Sequence, residues 1–88
     1  MKDKIYKAHS DSGHGWLAVK RKELVELGIL EKVSHYSYQR GATVYLEEDA
    51  DCTLFCLTYE KKFGHLPKQD SGKWCERSPI RSYESFRK

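Results

Sequence analysis

The feature that most constrains this chain is an apolar stripe between residues 50 and 63. Cys52, Phe55, Cys56, Tyr59 and Phe63 recur at i, i+3, i+4, i+7 and i+11, which places all five on one side of a helix. A helix of this kind must bury its stripe against another element, and 88 residues leave room for a single small core. The acidic run Glu47-Glu48-Asp49-Ala50-Asp51 precedes the stripe. Asp49 or Asp51 can cap the first turn, and the other acids suit the positive end of the helix dipole. Lys61, Lys62 and Gly64 mark the helix end.

The partners for that stripe are short. Ile5–His9 and Trp16–Lys20 read as strands, with Ile5, Lys7 and His9 on one face and Tyr6 and Ala8 on the other. The turn-rich Ser10-Asp11-Ser12-Gly13-His14-Gly15 lies between them and makes a hairpin with a longer loop. A first helix begins near Lys20 or Arg21 and runs to Leu27. Gly28 stands at the C′ position, and Ile29 is placed to touch Leu24 in a Schellman motif. Residues 34–41 read as a polar and aromatic connection, Thr43–Glu47 as a strand and 65–72 as a loop. Lys73–Glu76 reads as a short strand and Ser78-Pro79 as a turn. Residues 80–86 alternate as an edge strand would, or form a tail ordered by Ile80, Tyr83 and Phe86. The expected fold is one α+β domain over 1–88, with a small antiparallel or mixed sheet of three to five strands and two helices packed on one face. Trp16 and Trp74 are expected in its core.

Hydrophobic residues make up 39% and aromatic residues 12%, too many for a disordered chain. No apolar run approaches the length of a membrane span, and residues 1–13 hold no apolar signal core, so a cytoplasmic protein without membrane contact is expected. Three cysteines are an odd number and do not make a disulfide framework. The net charge of +3 is unevenly spread. Residues 1–60 hold 8 basic and 10 acidic side chains, whereas residues 61–88 hold 8 basic and 3 acidic ones.

No reaction is legible. Cys52, Cys56, Cys75, His9, His14 and His65 lack the CxxC knuckle of a structural zinc site, and Cys52 and Cys56 fall on the apolar stripe, where thiols pack as small apolar groups. The loop from His9 to Trp16 holds two imidazoles, two hydroxyls and a carboxylate, yet these are also ordinary turn residues with no nucleophile motif around them. Glu47–Asp51 lacks the ligand spacing of a calcium loop. The Gly13-x-Gly15 pair is too sparse to cradle phosphate. The expectation is a non-enzymatic protein with no cofactor and no metal.

Binding is better represented. Tyr36 and Tyr38 alternate with polar residues and lead to Arg40, the residue types enriched at protein interfaces. With Glu47, Glu48 and Asp49 they form the candidate partner-binding set. The bland alternative packs the tyrosines on the sheet with their hydroxyls at the surface. Lys73, Arg77, Arg81, Arg87 and Lys88, interleaved with Tyr83 and Phe86, form a second set suited to RNA or DNA. The aromatic motifs of an RRM and the GXXG loop of a KH domain are absent.

Gly13-His14-Gly15-Trp16-Leu17-Ala18-Val19, Leu27-Gly28-Ile29, Ser37-Tyr38-Gln39-Arg40-Gly41, Val44-Tyr45-Leu46-Glu47-Glu48-Asp49 and Ile80-Arg81-Ser82-Tyr83-Glu84-Ser85-Phe86 together span nearly the whole chain. In these strings it resembles a group of short proteins encoded by bacteriophages, prophages and plasmids. The resemblance carries no catalytic residue. It implies an accessory protein of a mobile element, a setting in which small proteins, anti-CRISPR proteins among them, block host defence by occupying a surface. The expected partner is a host defence nuclease or CRISPR effector. The alternative is a nucleic-acid-binding accessory protein of phage or plasmid replication or transcription.

Overall fold

The computed structural model describes residues 4–88. β1 (Ile5–Ser10) and β2 (Gly15–Lys20) pair antiparallel, with Lys7 opposite Ala18 and His9 opposite Trp16. β2 is flanked on its other side by β4 (Thr43–Glu47), which in turn pairs with β3 (Tyr38–Arg40). β5 (Lys68–Gln69) and β6 (Lys73–Trp74) both run parallel to β1 along its outer edge, and β7 (Glu84–Ser85) pairs with β3 at the other edge. Between β5 and β6 the chain leaves β1, and Asp70 Oδ1 takes over by accepting the Ala8 and Gly72 amides at 3.0 and 2.9 Å.

The sheet is mixed, as expected, but among the described residues it holds seven strands rather than three to five. The unexpected ones are β3, within the segment 34–41 read as a connection, and the two-residue β5, within the segment 65–72 read as a loop. Their backbones join an existing edge without any β-branched run, so side-chain pattern carries no sign of them.

One face of the sheet forms the core. Tyr6, Leu17, Val19, Val44 and Leu46 project from it against Leu24 of α1 (Arg21–Glu26) and Phe55 and Tyr59 of α2 (Ala50–Phe63). The Tyr6 ring meets Phe55 edge-on at 5.3 Å, and its hydroxyl donates to buried Glu23 at 2.9 Å. α1 ends as expected: the Gly28 amide (φ +73°) donates to the Val25 carbonyl and Ile29 to that of Leu24, each at 3.0 Å. Its start is fixed by Glu23, which reaches back to the Lys20 amide at 2.8 Å.

The bounds of α2 also match, with Gly64 left-handed at its end. Its cap does not. Neither Asp49 nor Asp51 holds the first turn; the Glu47 carboxylate accepts the amides of Asp49, Ala50 and Asp51 at 2.7–2.9 Å. A glutamate two residues before the cap has the longer arm needed to reach three converging N–H groups.

Three apolar side chains depart from expectation. Trp74 is 64% exposed on the two-residue edge strand β6, and Phe63 in the last turn of α2 is 40% exposed. Trp16 is buried, as expected, but it lies outside the main core cluster. Alternation along β2 directs it to the sheet's second face. There the closing segment crosses one end of the sheet. Pro79–Ser82 forms a 3₁₀ turn in which Ile80 is buried, and the Tyr83 ring lies 5.2 Å from Tyr45. Ile80, Tyr83 and Phe86 are spaced in threes, and the turn's period prevails over strand alternation.

Candidate functional site

Among the described residues three carboxylates are buried, and each holds backbone in place. Asp11 accepts the amides of Gly13, His14 and Ser78 at 3.0 Å, together with Nε and Nη2 of Arg81, the latter at 2.8 Å. The loop after β1 is thereby sewn to the closing segment. The Arg81 guanidinium holds the Asp11 carboxyl far below the ordinary carboxylate range, and the ion pair raises Arg81 in return. Arg81, one of the expected nucleic-acid contacts, is therefore part of the scaffold.

The two histidines of this region do not meet a nucleophile. His14 is exposed with its ring against Trp16, and His9 lies on the sheet's second face, edge-on to Tyr45 at 5.8 Å. Burial lowers the His9 pKa from 6.5, with Lys73 and Lys7 acting in the same sense against Asp70. It presents a neutral ring at pH 7.

Asp51 pins the segment before β3. It accepts the Ser34 amide at 3.1 Å and the hydroxyls of Ser34 and Ser37 at 2.7 and 2.6 Å. The Ser37 oxygen in turn accepts the Glu47 amide at 3.0 Å, which brings residues 34–37 beside the acidic turn. Tyr36 projects from this fixed segment, 71% exposed and stacked on His35 at 4.6 Å between ring centroids. Glu48 and Asp49 are exposed next to it, whereas Glu47 is committed to α2.

Tyr38 is half-buried with its ring 6.3 Å from Trp16. Arg40 stands at the far end of β4, opposite Thr43, with its guanidinium 5.1 Å from the Tyr83 ring. The expected partner-binding set thus divides: Tyr36, Glu48 and Asp49 come together, and Arg40 belongs to another surface.

The basic set divides as well. Lys73 sits opposite His9 at one edge of the sheet, and Arg87 pairs with Glu84 at 2.8 Å near the other. Arg77 and Lys88 are exposed. No group of three or more His, Cys, Asp and Glu side chains among the described residues is placed to hold a metal ion. Cys52 lies half-buried on α2, where burial first and then Cys56 push its thiol up to about 12, so it stays protonated and unreactive at neutral pH.

No protein-family model matches this chain, and neither a curated protein nor a solved structure shows significant similarity to it. Among the described residues no helix is long and apolar enough to cross a membrane.

The structure also presents a surface that the sequence reading did not single out. The second face of the sheet carries a groove of about 420 Å³ over Ala18, with Lys7, Lys20, Thr43, Tyr45 and His9 around it. A depression of about 170 Å³ adjoins it, where Tyr83 and Lys73 face His9 and Tyr45. The alternation of Ile5, Lys7 and His9 was a signal for it. What the sequence lacked was the register that sets Lys7, Ala18, Tyr45 and Tyr38 in one row and Lys20, Thr43 and Arg40 in the next.

Proposed function

We propose that this chain is a non-enzymatic binding protein of a mobile element that inhibits a host defence complex by occupying one of its surfaces. The observation that carries this reading is the Tyr36 projection. A large amphipathic ring stands free on a segment whose hydrogen bonds are already closed by Asp51, so little conformational freedom remains to be lost on binding. Exposed Glu48 and Asp49 beside it favour a partner surface rich in arginine and lysine, the kind that nucleases present to their substrates. The engagement of the three carboxylates buried among the described residues in holding backbone supports binding rather than chemistry.

The test is capture from a nuclease-treated bacterial lysate followed by a cleavage assay on what is retained. A stoichiometric defence nuclease whose cleavage stops in the presence of the chain is the expected result. Tyr36→Ala should weaken that inhibition about tenfold or more, the loss typical of an interface anchor. Retention that survives Tyr36→Ala unchanged, or a retained nuclease that still cuts, would overturn the reading.

A further inference from the structure

We infer that the second face of the sheet is a binding site for a single strand of nucleic acid. This goes beyond the reading above and rests on a different surface.

The charge of the face is the first observation. Lys7, Lys20 and Arg40 project from β1, β2 and β3, and Lys73 borders them from β6. None of the four forms an ion pair with a carboxylate among the described residues. Among the described residues no carboxylate lines either the groove or the adjoining depression. Asp70, whose charge acts on His9 and Lys7, holds the Ala8 and Gly72 amides, and Glu47 holds the first turn of α2. Four cations against the single Asp70 charge leave this concavity net positive among the described residues, which favours an anionic ligand.

The rings are the second observation. His9, Tyr45 and Tyr83 follow one another with centroid separations of 5.8 and 5.2 Å, and Arg40 closes the series over Tyr83. Tyr45 and Tyr83 are half-buried, which fixes their orientation while leaving ring surface open. Lys73 and Arg40 stand four strand spacings apart, about 19 Å. That reach exceeds a mononucleotide and suits several phosphates of one chain. A duplex turns base edges and phosphates outward and hides its base faces, whereas an unpaired strand offers both phosphates to the cations and bases to the rings. The ligand is therefore an unpaired strand.

The experiment is fluorescence anisotropy of a labelled 12-mer of deoxythymidylate, set against a duplex of equal length, with the full chain and no protein partner present. The single strand should bind more tightly than the duplex. Three phosphate contacts should weaken it about 15- to 20-fold between 50 and 200 mM salt. Lys7→Glu with Lys73→Glu should lower affinity tenfold or more and flatten the salt dependence. Tyr45→Ser should lower affinity without flattening that slope, which separates stacking from charge. Lys61→Glu with Lys62→Glu, at the end of α2, serves as a control of equal charge change. Both lysines of the double variant are exposed, and an unchanged melting temperature would show that it folds. Equal affinity for duplex and single strand, no binding at 50 mM salt, or equal losses with the Lys61→Glu, Lys62→Glu control would overturn the proposal. Each of these results stands apart from nuclease capture, so the two readings fail separately.

Discussion

Asp11→Ala is expected to lower the melting temperature by about 10 °C or more and to expose the closing segment to proteases. The carboxylate has no solvent exposure and serves five donors from two distant parts of the chain. Its removal leaves the Arg81 charge without its partner and the Ser78 amide without an acceptor inside the fold. Trypsin should then cut at Arg77 and Arg81 while the β1–β2 core stays intact.

The same group sets the acid limb of stability. Its folded pKa lies below the ordinary 3.8, so the unfolded chain takes up the proton first as pH falls. The stabilisation is fully present above about pH 4 and is lost progressively below it. Thermal melts between pH 7 and 2 should show a steep fall below pH 4 in the native chain and a shallower one in Asp11→Ala. Equal slopes would show that the ion pair adds nothing to the fold.

Asp51→Ala should cost about 2–4 kcal/mol, because the Ser34 amide and the Ser37 hydroxyl lose their acceptor in a closed site. In a domain of this size that corresponds to roughly 10–25 °C in melting temperature. Amide exchange across residues 34–37 should accelerate more than exchange in β1 or β2. Asp51→Asn retains one carbonyl acceptor and should recover about half of the loss. Tyr36 keeps its exposure in both variants but loses its fixed presentation, so inhibition of the partner should weaken in the same order. A loop that remains protected in Asp51→Ala would remove the basis for treating Tyr36 as pre-organised.

The elements that sequence made legible were those written in side-chain period or cap chemistry. The stripe ending at Gly64 gave α2 to the residue, and Leu24, Gly28 and Ile29 gave the end of α1. Strands β3 and β5 were hidden because so short a pairing depends on where a neighbouring backbone lies. The acidic run was legible as a cap, although the choice of Glu47 over Asp49 and Asp51 depends on reach in three dimensions. Asp11, Ser34 and Ser37 read as turn or connection residues and Asp51 as a cap candidate, and their long-range partners lie 14 to 70 positions away. For the same reason Arg81 looked available for nucleic acid. The groove residues were visible as alternating polar positions in separate strands. Only the register of five strands makes them one surface.

The most direct test of the binding account is an NMR titration of the isotopically labelled chain with the same single-stranded 12-mer. Shifts should concentrate at Lys7, His9, Ala18, Lys20, Tyr45 and Lys73, leaving the amides of α2 in place. Shifts centred on α1 and α2, or an unchanged spectrum at saturating oligonucleotide, would contradict it.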